Sequence, residues 1–211
     1  MPSLSSTSII SQYKTSIMNI ALFDFDGTIT HTDTFTKFIL FAACKRRTYA
    51  GRIVLFPAIM KYKLGKLQGR DIRKKVYYFA FKGMNEQQLR IKGEQFSKLA
   101  IPNYLRDTAF KKIQWHQQRG DIVVIVSASL DVYLRPWCTE HGLDLICSKV
   151  ESTDGTLTGN YIHGDCSGIT KKRLVEQRYN MSDFNTIYAY GDTTEDNELL
   201  SLADEKFYKY F

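Results

Sequence analysis

The chain has 211 residues, 44% of them apolar, and a formal net charge of +7. That length supports one core of ordinary size with a smaller attached unit. No apolar run approaches the roughly 20 residues a spanning helix needs, and the four scattered cysteines, with no C-x-x-C pair, read as reduced thiols of a cytosolic protein, a disulfide staying open.

The first segment, "MPSLSSTSIISQYKTSI", is rich in Ser and Thr, with little basic charge and no long apolar stretch. It does not read as a secretory signal. Residues 1–18 are expected to form a flexible tail, and Met18, directly before "NIALFDFDG", is an alternative start. Short apolar runs then predict buried strands: "IALFDF" (20–25), "IVVIVSA" (122–128), "LDLICSKV" (143–150) and "TIYAY" (186–190). Helix-length stretches at 107–119 and 169–180 lie between them. This alternation predicts an α/β fold, a Rossmann-like doubly wound parallel sheet covered on both faces. "STDGTLTG" (152–159) carries Asp-Gly between β-prone residues and predicts a small hairpin. Residues 31–105 are too many for a simple crossover, and Phe35, Phe38, Ile39 and Ala42 recur at helical spacing. The expected organisation is a core of residues 19–30 and 106–211 with an inserted helical cap of residues 31–105.

Open α/β sheets bind ligands at the carboxyl ends of their strands. Asp24 and Asp26 leave the first strand there, and strand residues i and i+2 share a face. An unpaired buried carboxylate costs several kcal/mol or takes up a proton. A metal or cationic ligand is therefore the first partner to expect.

"DFDGT" resembles the D-x-D-x-T signature of haloacid dehalogenase-type phosphatases. Three further stretches match that superfamily in order: "VIVSAS" with Ser127, "CSGITKKRL" with Lys171, and "YAYGDTTEDNELL" with Asp192 and Asp196. "DGTLTG" followed by "CSGITKKRL" most resembles the subgroup, subfamily IB, that contains phosphoserine phosphatase and bacterial phosphatidylglycerophosphate phosphatases. The resemblance implies an aspartyl-phosphate mechanism assisted by Mg²⁺. Asp24 would be nucleophile and metal ligand. Asp26 would be the acid–base residue and would ligate by its backbone carbonyl. Asp192 would complete the ligands and Asp196 would support them from outside. Thr28, Ser127 and Lys171 would hold the phosphoryl oxygens.

Plainer readings stay open for each residue. Asp24 and Asp26 could be turn residues, and Ser127 could cap a following helix. Lys171 could belong to a solvated basic run, with Lys172 its rival. Asp196 could close a capping box with Thr193.

Residues 37–82 hold 13 Lys or Arg and one acid, Asp71, a net of +12. Apolar "FILFAA" and "IVLFPAIM" interleave with them. Such a stretch attracts polyanions or an anionic membrane surface; a cap with a basic solvated rim is the plainer alternative. By resemblance, Asp33 is a cap residue that would meet substrate, the N-cap of the first cap helix being its plainer reading, and Arg73 or Lys75 would hold a substrate carboxylate. "SAS" in place of "SGG", and Glu195 in place of Asn, depart from the phosphoserine pattern.

The expected function is therefore a Mg²⁺-dependent phosphomonoesterase acting on a phospholipid head-group phosphate such as phosphatidylglycerophosphate, or on a small soluble phosphate ester. It would work in the cytoplasm, as a soluble protein or at the inner face of a membrane. A phosphotransferase, or a non-catalytic nucleic-acid-binding module using the basic stretch, are the alternatives. The second is opposed by the absence of a nucleic-acid motif.

Overall fold

The computed structural model describes residues 18–211, so the expected tail, apart from Met18, lies outside the described residues. Strand β1 (Ile20–Phe23) is followed by helices α1 (Thr34–Ala42), α2 (Lys45–Val54), α3 (Phe56–Lys63), α4 (Gly69–Phe81) and α5 (Glu86–Leu99), then by α6 (Asp107–Gln118). Strand β2 (Ile122–Leu130), α7 (Asp131–Glu140) and β3 (Asp144–Ser148) come next, with the hairpin β4 (Val150–Thr153) and β5 (Thr156–Tyr161) after them. The chain closes with α8 (Ile169–Arg178), β6 (Ile187–Gly191), α9 (Asn197–Leu200) and β7 (Glu205–Tyr208).

Five parallel strands form one sheet in the order β3-β2-β1-β6-β7. β1 takes the centre because it is apolar on both faces. Ala21 and Phe23 pack with Ile113 and Trp137, while Ile20 and Leu22 pack with Val175 and Leu199. All four strand residues are fully buried. Burial of each large side chain is worth about 1.5–3 kcal/mol, so a polar residue at Leu22 would cost the sheet its anchor.

The boundaries differ from the sequence expectation for identifiable reasons. β1 stops at Phe23 because the N–H groups of Ile29 and Thr30 fold back onto the Phe25 carbonyl (2.9 and 3.0 Å) and turn the chain. The stretch 143–150 divides because the Asp131 carboxylate takes the Val150 N–H (2.9 Å), so that residue leaves the sheet and begins the hairpin. At the hairpin tip Asp154 (φ 49°) and Gly155 (φ 72°) both adopt left-handed conformations, as a type I′ turn requires. The helix expected over 169–180 ends at Arg178. β7 went unpredicted: it is short, polar and paired on one side only.

Helices α1, α4 and α5 pack through aromatic side chains against α7 and the β4–β5 hairpin. Asp33 caps α1 by accepting the Thr36 N–H (3.2 Å), and the helix buries Phe35, Phe38, Ile39 and Ala42. Phe38 meets Tyr133 of α7 with 4.8 Å between ring centroids. α5 crosses α7 at Gly93, where a Cβ would come within 2.1 Å of the Val132 carbonyl oxygen. α4 stacks Tyr77 on Tyr161 of β5 (4.8 Å). α2 is tied to the C-terminus of α4 by Arg47, whose Nη1 donates to the carbonyls of Ala80 (3.0 Å) and Lys82 (2.9 Å). Cationic side chains suit that end of a helix.

Candidate active site

Four segments converge at the carboxyl ends of the central strands. The β1 turn brings Asp24, Asp26 and Thr28, the end of β2 brings Ser127 and Ser129, the start of α8 brings Lys171, and the loop after β6 brings Asp192 and Asp196. Lys171 is almost wholly buried, and its Nζ donates to Asp24 Oδ1 (2.5 Å) and Asp196 Oδ1 (2.6 Å). Lys172, the rival, reaches outward to Ser201 Oγ (3.5 Å).

Asp196 forms the capping box weighed for it and also meets Lys171. Its Oδ2 accepts from the N–H groups of Asp192 and Thr193 and from Thr193 Oγ1 (3.2, 3.0 and 3.0 Å), which closes a capping box while its other oxygen meets Lys171. Thr28 Oγ1 donates to Asp192 Oδ1 (3.3 Å). Carboxylate oxygens of Asp24, Asp192 and Asp196 lie within 4.8 Å of one another. Two glycines permit this crowding. A Cβ on Gly27 (φ 87°) would stand 2.2 Å from Asp192 Oδ2, and one on Gly191 would stand 2.6 Å from the Cβ of Asp196.

Asp26 faces other partners. Its Oδ1 accepts from the N–H (2.7 Å) and Oγ1 (2.5 Å) of Thr34, and its Oδ2 accepts from Ser129 Oγ. Thr34 Oγ1 also contacts the Tyr133 hydroxyl (3.2 Å). Ser127 sits inside β2 rather than at a helix start, and its Oγ accepts the Ser129 N–H (3.1 Å). Sequence reasoning missed Thr34 and Ser129 as holders of Asp26. The second serine of "SAS" was the only available signal.

Burial dominates the electrostatics. It pushes the Asp24 carboxyl up to about 8, against the pull of Lys171. It pushes Asp26 up to about 6, with the Asp33 charge adding to it and the Ser129 and Thr34 hydrogen bonds opposing. Asp192 is raised by burial and then by Asp196. Burial disfavours charge on Lys171, but Asp24 and Asp196 outweigh it and hold the ammonium on. The same pairing, despite burial, holds Asp196 below the ordinary carboxylate range. Lys171 thus pairs with two of the three clustered acids, Asp24 and Asp196, and all the candidate ligand atoms are oxygens. This set fits a hard divalent cation such as Mg²⁺.

A cavity of about 630 Å³ is lined by Asp24, Asp26, Ser127, Ser129 and Lys171 on one side. The helices supply the rest of its wall, including Ile39, Leu55, Ile59, Ile72, Val76 and Phe79. Asp33 also lines it, while capping α1. Arg73 reaches it too, but its guanidinium is already engaged. Nε and Nη2 donate to Asp165 (2.8 and 2.9 Å), and Nη2 also donates to Glu195 (2.8 Å). Lys75, expected beside the substrate, is instead exposed and faces a separate groove with Asp71 and Lys74. The α4 positions on the cavity side are Ile72, Arg73, Val76, Phe79 and Ala80.

A family model described as haloacid dehalogenase-like hydrolase matches residues 21–201. The chain is 31% identical over 195 residues to protein CicA of Caulobacter vibrioides, covering 91% of this chain and 86% of that protein. It is 24% identical over 210 residues to histidinol-phosphatase of Neisseria meningitidis, covering 89% and 88%. A solved structure of a substrate-bound phosphoserine phosphatase shares the fold with a TM-score of 0.65 at 19% identity, covering 90% of this chain and 85% of that one.

Proposed function

The chain belongs to the haloacid dehalogenase-like hydrolase family and is a phosphatase, and from that premise we propose that it hydrolyses phosphate monoesters through a phosphoryl group carried on Asp24, with Mg²⁺ as cofactor. The observation that carries the reading is the convergence of Asp24, Asp192 and Asp196 within 4.8 Å around the buried Lys171.

Asp24 and Asp192 would hold the metal by carboxylate and Asp26 by its backbone carbonyl, with Asp196 behind them. When bound, Mg²⁺ supplies the positive charge that lets a carboxylate approach a phosphate dianion. An Asp24 oxygen attacks phosphorus in line as the ester P–O bond breaks, and the leaving oxygen takes a proton from Asp26. Water then attacks the aspartyl-phosphate, gives its proton to Asp26, and inorganic phosphate leaves. A carboxyl raised to about 6 by burial exchanges a proton readily near neutral pH. Thr34 and Ser129 aim it. Lys171, Ser127 and Thr28 would hold the phosphoryl oxygens, where charge sits in the transition state.

The apolar helical wall of the cavity supports a substrate with an apolar body, a phospholipid head-group phosphate such as phosphatidylglycerophosphate. Asp33 in the same wall, and the relative named histidinol-phosphatase, support a small soluble ester as the second reading. The helical stretch 31–105 would then act as the cap that selects between them.

The test is aryl phosphate turnover with and without Mg²⁺, for the natural chain and Asp24→Asn. Loss of turnover without the metal and in the variant is expected; undiminished turnover in Asp24→Asn sinks the mechanism. A panel of phosphoserine, histidinol phosphate and detergent-solubilised phosphatidylglycerophosphate then ranks substrates, and preference for the lipid is expected.

A further inference from the structure

Helices α2 and α3 bury almost nothing. Gly51 is the one buried residue of α2, and α3 has none. Side chains that ordinarily enter a core stand in water: Ile53 is 64% exposed, Phe56 60% and Leu64 63%. Apolar surface of this kind, rimmed by charge, marks a surface that meets a partner.

The rim is of one sign. Lys45, Arg46, Arg52, Lys61, Lys63 and Lys66 are all exposed, and among the described residues none meets a carboxylate. Between Lys37 and Arg70 the sequence contains no Asp or Glu. We propose that the bent helix pair α2–α3 docks onto an anionic lipid bilayer, with Ile53, Phe56 and Leu64 entering the boundary between headgroups and acyl chains.

Charge complementarity selects this occupant. A second copy of the chain would set one basic rim against another. A nucleic acid would satisfy the charge and find rings at Tyr49 and Phe56 to stack on, but it would leave aliphatic Ile53, Val54 and Leu64 in water. A short amphipathic helix pair with basic flanks suits an anionic interface. The helix pair is also continuous with the cavity, because its Leu55, Ile59 and Tyr62 form part of the wall around Asp24. An amphiphile could thus leave the bilayer along the apolar side of this wall with its phosphate towards Asp24. The inference rests on the reading of the cavity as a site for a lipid phosphate.

Co-sedimentation of the full chain with vesicles tests it. Recovery with phosphatidylcholine vesicles containing phosphatidylglycerol should exceed recovery with phosphatidylcholine alone, and should fall as salt rises. The triple variant Ile53→Ser, Phe56→Ser, Leu64→Ser should lose partition roughly 100-fold, because removing apolar depth weakens interfacial binding steeply. Lys45→Glu, Lys61→Glu, Lys66→Glu should lose a comparable amount by charge alone. All six positions are exposed, so an unchanged melting temperature and unchanged turnover of a soluble aryl phosphate report intact folding. Equal recovery with neutral and anionic vesicles overturns the proposal. So does full binding by the serine variant, or RNA displacing the vesicles. Hydrolysis of phosphatidylglycerophosphate in detergent micelles is measured alongside. Vesicle binding without that hydrolysis keeps the docking surface and removes the lipid substrate. Hydrolysis without vesicle binding does the reverse.

Discussion

Replacing Gly27 by Ala should loosen the proposed metal site more than it harms the fold. Gly27 sits at φ 87°, and a Cβ there would stand 2.2 Å from Asp192 Oδ2 and 2.7 Å from its Cγ, against the 3.4 Å or more of an ordinary contact. The left-handed backbone costs alanine about 1–2 kcal/mol, or roughly 2–8 °C in Tm for a chain this size. The larger effect falls on Asp192, whose carboxylate must withdraw by roughly 1 Å, when metal ligands tolerate about 0.2 Å. Disturbed ligand positions typically cost about 10–100-fold in metal affinity. The assay is aryl phosphate turnover titrated with Mg²⁺. The half-saturating concentration should rise by about 10–100-fold, with much of the lost rate recovered at high Mg²⁺. A variant with the natural Mg²⁺ dependence would refute the placement of Asp192 beside this turn.

Two further outcomes follow from burial. Gly93→Ala should destabilise the protein by more than about 2 kcal/mol, although alanine favours an isolated helix by about 1 kcal/mol, since its Cβ would press to 2.1 Å from the Val132 carbonyl oxygen. A raised Tm in thermal denaturation would show that α5 and α7 are not in that contact. His116 is fully buried between Asp121 (2.8 Å) and the Tyr190 hydroxyl (2.9 Å), and burial, opposed by Asp121, lowers its pKa below 6.5. The unfolded chain therefore binds a proton that the folded one refuses, so this contribution to stability is present above about pH 6.5 and is lost as pH falls. Tm should drop between about pH 7 and pH 5 more steeply in the natural chain than in His116→Gln; equal slopes would exclude His116 as the cause.

The parts legible in the sequence were those whose physics is local. The "IALF" run had to be a central strand because every residue in it is apolar, and the i, i+2 spacing put Asp24 and Asp26 at its end. Asp-Gly announced the hairpin through the left-handed conformations it permits. The basic and apolar stretch 37–82 announced a charged helical layer, though not that α2 and α3 would leave their apolar residues uncovered. What stayed hidden depended on distant partners. Ser129 meets Asp26 across 103 positions, and Arg73 meets Glu195 across 122. Nothing near Arg73 in sequence signals that two carboxylates occupy it, or that Lys75 turns outward. β7 was hidden for a different reason, since an edge strand with one partner needs no apolar alternation.

The engagement of Arg73 has a mechanical meaning. One guanidinium fastens α4 both to the segment before α8, which presents Lys171, and to the segment after β6, which presents Asp192 and Asp196. Displacing α4 would therefore strain the segment that carries Lys171 and the segment that carries Asp192 and Asp196 together. Two loops far apart in the chain are thereby coupled through one side chain.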